Sequence, residues 1–234
     1  RLDGRHHRTR RVPGRLLVDP VTAPTMLRIL VANIESARTR PELAILIDQH
    51  RPDVVIVLQA YRARVWLNGI PGYQNWQYRG VEASGIAVLV GSTIKLKRRR
   101  ALRMTRPWIG PKAGHKHRPR TYPRLRLQKA GHWVRLLPVH LPTHNNPAAQ
   151  AESLAAVRRW VVAVPNVFSV AAGDWNRMVE ELVTLQLPVL TVGKVDHAVT
   201  SERPGTVAVC RRLPTPDDCH GWGLYAFDLE TVAR

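Results

Sequence analysis

The chain has 234 residues, 44% of them hydrophobic, and carries a formal net charge of +19 from 36 Lys and Arg against 17 Asp and Glu. That length and apolar content fit one folded domain with a two-sided core. No apolar run reaches the ~20 residues of a membrane span, and the N-terminus lacks the apolar segment of a signal peptide, so a soluble chain is expected.

The charge exceeds what solubility requires. It points to a polyanionic partner such as nucleic acid, although Arg-, Ala- and Val-rich usage also follows from genomic base composition. Its placement favours the first explanation. No acidic residue occurs between Ala83 and Ala151, while Arg98, Arg100, Arg118, Arg120, Arg124 and Arg126 fall among the many cations of that stretch. Residues 95–135 are therefore read as a phosphate-facing surface, with DNA the expected partner.

Residues 1–25 are Arg-rich and Pro-broken, without periodicity, and read as an arm, a linker or an expression remnant, with Met26 a candidate start. Residues 26–234 are read as one domain. The run LRILVANI predicts a buried strand that delivers Asn33 at its end. In TRPELAILIDQHRPD, Pro41 suits a first turn and Leu43, Leu46 and Ile47 share a face, which predicts a helix of about ten residues. VVIVLQA and GIAVLVG read as further buried strands, and KLKRRRALRM and YPRLRLQ as the strands of a hairpin or edge. HWVRLLPVHLPTH is another strand, ending in His140 and His144.

Asn146 and Pro147 suit the cap and first turn of a helix in which Leu154, Val157 and Val161 lie together. VFSVAAGDWN follows as a strand, and residues two apart in an extended segment project alike, so Asp174 and Asn176 would present an acceptor and an amide together. A plain turn is the competing reading of Gly-Asp-Trp-Asn. KVDHAVTS and HGWGLYAFDLE complete the series of strands, and a layered α/β sandwich of two sheets covered by helices is the expected assembly. Cys210 and Cys219 lack metal-finger spacing and are compatible with a bridge or with free thiols. Among the tryptophans Trp108, set amid basic residues, is the best candidate for base stacking, though packing is the commoner fate.

The apolar strands end at Asn33, Gln59, His140, Asp174 with Asn176, Asp196 and His220. With the motifs GDWN and VDHAVTS, this ordering resembles the endonuclease/exonuclease/phosphatase superfamily, whose type member is the pancreatic deoxyribonuclease, over about residues 27–230. The resemblance implies a four-layer sandwich, with two mainly antiparallel sheets flanked by helices, that hydrolyses phosphate esters with Mg²⁺ or Mn²⁺. It implies that Asn33 contacts metal or phosphate and that Gln59 lies at the phosphate. His140 would bond the scissile phosphate or act as general acid, Asp174 would orient or deprotonate water, and Asn176 would hold the phosphate. Asp196 would be a metal-binding or histidine-orienting carboxylate, and His220 the second catalytic histidine.

Two positions depart from the family pattern. Ala60 stands where the family carries its principal Mg²⁺-binding glutamate, and Asp218-Cys219-His220 stands where it carries Ser-Asp-His. Mg²⁺ depends on carboxylates, so the metal site is expected to be degenerate. Glu35, two residues beyond Asn33 and on the same face if the strand continues, is the carboxylate available to compensate, with Asp218 a further candidate metal ligand; an engineered replacement at Ala60 is another explanation. A non-catalytic descendant acting as a nucleic-acid-binding or structural assembly protein is the alternative, because a shared fold does not guarantee activity.

Overall fold

In this computed structural model the described residues are 24–34, 40–60, 64–78, 85–103, 108–109, 116–117, 121–142, 147–201, 207–214 and 222–230. The first sheet is built around β1 (Met26–Asn33) and β2 (Val54–Leu58), two apolar strands paired in parallel and joined through α1 (Arg40–His50). α2 (Arg64–Asn68), β3 (Tyr73–Tyr78) and β4 (Ile86–Gly91) follow, and then β5 (Lys95–Arg103) and a two-stranded ribbon of β6 (Trp108–Ile109) with β7 (Lys116–His117). The second sheet is built around β9 (His132–His140) and β10 (Phe168–Asp174), also parallel and joined through α3 (Pro147–Val162). β8 (Thr121–Lys129) precedes this pair, and α4 (Val179–Leu182), β11 (Val189–Thr191), β12 (Asp196–Thr200), β13 (Val207–Leu213) and β14 (Trp222–Asp228) follow it.

The strand orders are β13-β14-β1-β2-β4-β3 and β11-β12-β10-β9-β8-β5. Each six-stranded sheet thus has one parallel pair at its centre and antiparallel neighbours on both sides. The expected two-sheet sandwich is the observed fold. The basic strands β5 and β8 pair with each other, with β5 at the sheet's edge.

Alternation sets which side chains meet between the sheets. Leu27, Ile29 and Val31 of β1, Val54, Ile56 and Leu58 of β2, and Tyr225 and Phe227 of β14 join the inner core. Across the interface they meet Val134 and Leu136 of β9 and Phe168 and Val170 of β10. The Phe168 and Phe227 rings, 5.2 Å apart, fix the facing of the two sheets. The opposite parity of the first sheet, Leu30, Ala32, Val55 and Val57, packs under Leu43, Leu46 and Ile47 of α1. α3 covers the outer face of the second sheet with Val157, Trp160 and Val161. No helix among the described residues is long and apolar enough to cross a membrane.

Candidate active site at the shared sheet rim

The parity that buries Phe168 and Val170 continues through Ala172 to Asp174, the last residue of β10. Parallel pairing sets His140 beside Asp174, and antiparallel pairing sets Asp196 on its other side. Three neighbouring strands therefore deliver a histidine and two carboxylates side by side, all facing the first sheet, over a span of about 10 Å. All three are buried, His140 at 8%, Asp174 at 1% and Asp196 at 1% exposure. His140 Nε2 lies 3.6 Å from Asp174 Oδ2. The hydroxyl of Tyr122 donates to the His140 carbonyl.

Asn33 shares the inward parity of Leu27, Ile29 and Val31 and is buried at the end of β1. Trp222 Nε1 donates to its carbonyl at 2.9 Å. The two strand ends belong to one rim. Gly223, paired with Val31, lies so near Val192 that a Cβ added there would sit 2.6 Å from Cγ2 of Val192. The Val192 N–H in turn donates to the Asp196 carbonyl at 3.3 Å. Asn33 and the His140–Asp174–Asp196 row thus border the same end of the space between the sheets.

The Gly-Asp-Trp-Asn stretch closes β10 with a turn at this rim. Asn176 does not continue the strand. Its φ is +48°, and its N–H donates to Asp174 Oδ1 at 2.8 Å, closing an Asx turn. The expected same-face projection of Asp174 and Asn176 is replaced by a side chain turned back so that Nδ2 donates to the Leu141 carbonyl at 2.9 Å. Trp175 is fully buried, its Nε1 donating to the His197 carbonyl at 2.8 Å.

Two residues outside the sequence-based set hold this rim in place. Gln150, fully buried on α3, donates through Nε2 to the carbonyls of Pro142 at 2.8 Å and Asn176 at 3.4 Å. A glutamine on the covered face of an amphipathic helix is the signal that could have found it. His197 is also fully buried, with Nε2 2.8 Å from the Arg177 carbonyl and Nδ1 3.1 Å from Thr191 Oγ1. Nε2 donates to the carbonyl and the threonine hydroxyl donates to Nδ1, so the neutral ring is satisfied on both sides. Desolvation lowers its pKa below 6.5, partly offset by the Arg177 carbonyl and the nearby Asp196.

Of the remaining expected residues, Gln59 follows β2 with φ +56° and is partly exposed. Arg124 and Arg126 lie on the second sheet away from the rim, with Arg98 and Arg100 at the register positions opposite Arg126 and Arg124. Glu35, Arg118, Arg120, Asp218 and His220, like Cys219, Asn146 and His144, lie outside the described residues. Cys210 is a free thiol, its pKa pushed up to about 11 by burial.

Asp174 and Asp196 form a directly opposed pair of buried carboxylates. A divalent cation fits that donor set, since Mg²⁺ is commonly held through one or two carboxylates and completed by substrate phosphate. Among the described residues no group of three His, Cys, Asp or Glu side chains is arranged to hold an ion by itself. Ala60 adds only a methyl, and that methyl is 2% exposed within the cluster beneath α1.

No protein-family model matches the sequence, and no curated protein sequence does. Solved structures match it over most of its length. D. rerio TDP2, in complex with single strand DNA product, superposes with a TM-score of 0.69 at 13% identity, over 87% of this chain and 98% of that one. The human Nocturnin catalytic domain with bound sulfate anion gives 0.66 at 14% identity, over 88% and 95%. An endonuclease/exonuclease/phosphatase family protein from Bacteroides thetaiotaomicron gives 0.67 at 15% identity, over 88% and 98%. Two six-stranded sheets with helices on their outer faces, matched at this level to such proteins, give the chain the endonuclease/exonuclease/phosphatase fold.

Proposed function

We propose that the chain is a phosphodiester hydrolase acting on nucleic acid, with DNA as its substrate, and that its reaction centre is the rim shared by the two sheets. The observation that supports this reading is the inward-facing row of His140, Asp174 and Asp196 at the same end of the interior as Asn33. Hydrolysis needs an oriented water, a proton for the leaving oxygen and positive charge near the phosphoryl oxygens. Asp174, held by the Asn176 N–H, orients and deprotonates the water. His140, 3.6 Å from Asp174, bonds the phosphate and protonates the leaving oxygen. The second N–H of Asn176 Nδ2 and the amide of Asn33 hold the phosphate. His220, Asp218 and Glu35 complete the proposed set.

Mg²⁺ or Mn²⁺, held by Asp174, Asp196, Asn33 and the substrate's own oxygens, would supply charge stabilisation to the phosphoryl group. With Asp174 and Asp196 as the opposed carboxylates among the described residues, metal affinity is expected to depend strongly on bound substrate.

A plasmid-nicking assay in Mg²⁺ or Mn²⁺ tests this reading. His140→Ala and Asp174→Ala are each expected to lower the rate by about 10²–10⁴-fold. The burial of Ala60 in an apolar cluster favours one competing reading, a catalytically silent nucleic-acid-binding or assembly protein. That reading holds if the chain itself never nicks and only Ala60→Glu does.

A further inference from the structure

The outer face of the second sheet carries a basic pocket distinct from the rim. Along β8, Leu125 and Leu127 enter the core while Arg124 and Arg126 take the opposite parity, and β9 sets Arg135 directly across from Arg126. Trp160, in the last turns of α3, and Val164 and Val167 beyond it wall a cavity of about 270 Å³ that Arg124, Arg126 and Arg135 also line. Arg135 is five residues before His140 on β9, about 17 Å away along the strand, and on the other face of the sheet.

Two of the arginines are stacked on tryptophan rings. The Arg135 guanidinium stacks 4.3 Å from the Trp160 ring centroid and donates to Ser169 Oγ at 3.1 Å. Arg126 stacks 4.3 Å over Trp133. No carboxylate among the described residues forms an ion pair with Arg124, Arg126 or Arg135, and Arg124 Nε is buried without a hydrogen-bond acceptor. Burial and the Arg124 charge lower the pKa of Arg135, as expected of crowded cations lacking a counterion. A buried donor among pre-positioned guanidinium forks is a site short of an anion.

The shape of the cluster selects the class of anion. Arg135 of β9 stands across from Arg126 of β8, about 4.8 Å away, and Arg124 lies two residues along β8, so these arginines form a row over neighbouring strands. Such a row suits successive phosphates. The stacked faces of Trp160 and Trp133 are taken by guanidinium groups, which leaves phosphate contact, not base stacking on those faces, as the means of recognition.

We infer that this pocket seats backbone phosphates of a polynucleotide, anchoring the strand on the outer face of the second sheet away from the rim. The inference deepens the nucleic-acid reading above and rests on it. Fluorescence anisotropy with a labelled single-stranded oligonucleotide tests it, using Arg124→Gln, Arg126→Gln and their double variant. Arg135→Lys keeps the charge but loses the fork, and exposed Arg51→Gln serves as the control. Each pocket substitution is expected to weaken binding about 10-fold, and each Arg→Gln to lower the salt slope by about 0.7. Arg51→Gln should change neither.

Pocket variants that bind like the wild-type chain, with circular dichroism showing them folded, overturn the pocket and leave the nucleic-acid reading standing. An oligonucleotide that does not bind the wild-type chain overturns both. Inorganic phosphate that changes tryptophan fluorescence without oligonucleotide binding reduces the pocket to a small-anion site and overturns the polynucleotide assignment.

Discussion

Gly173 shows how tightly the candidate site is tied to backbone geometry. Its φ is +150°, and a Cβ placed there would lie 1.9 Å from the Val139 carbonyl oxygen, which is backbone and cannot swing away. Gly173→Ala should therefore separate β9 from β10 immediately before His140 and Asp174, costing about 2–5 kcal/mol. Urea denaturation measures that cost, and an unchanged midpoint would contradict the close approach. His197 gives a second test, through pH. Its pKa is lowered in the fold by desolvation, so the folded chain holds it neutral while the unfolded chain protonates near pH 6.5. Its stabilisation is present above that value and is lost as pH falls below it. His197→Asn should lower stability at pH 7.5 yet flatten the decline between pH 6.5 and 5, measured as urea midpoints. An equally steep decline in the variant would assign the slope to other groups.

At the scale of elements, the two parallel pairs explain why the strands were legible in the sequence. β1, β2, β9 and β10 are central strands, and the apolar runs within them, ILVA, VVIVL, LLPV and VAA, are buried on both faces. β3, reading YQNWQY at an edge, has no such run, and β11 is three residues long, so neither stands out from the polar segments around it. The order of polar residues at strand ends was visible because strands present their last side chains at the rim. The turn at Asn176 is local and stood as the competing reading of Gly-Asp-Trp-Asn, whereas the seating of its Nδ2 on the Leu141 carbonyl and the support from Gln150 were not visible, because both depend on carbonyls brought in from elsewhere in the chain.

The rim opposite the site has its own fastening. Lys129 at the end of β8 meets Asp53 ahead of β2 at 2.6 Å, and the Arg28 N–H donates to the same carboxylate oxygen at 2.8 Å. This mostly buried link joins the two sheets. Asp53→Ala should cost about 3–5 kcal/mol by stranding the ammonium, whereas a double variant with apolar residues at both positions should cost less. Equal losses in chemical denaturation would show that the pair is not a coupled unit.

For the whole molecule, the excess of 36 basic over 17 acidic side chains acts on stability and on binding with opposite dependence on salt. In the free chain, like charges repel across the compact state, and added salt screens them. The melting temperature without DNA should therefore rise as NaCl increases. A polyanion bound to the folded state also stabilises it, by about 2.7 kcal/mol at a concentration of 100 Kd, which for a domain of this size corresponds to about 5–10 °C. That increment should shrink as salt rises, because phosphate contacts release counterions and affinity falls steeply with ionic strength. Thermal scans with and without a short DNA duplex, at low and high NaCl, should therefore converge, the DNA-free curve moving up and the DNA-bound curve moving down. Two curves that stay parallel, or DNA that shifts neither, would separate the charge of this chain from nucleic acid altogether and leave composition as its explanation.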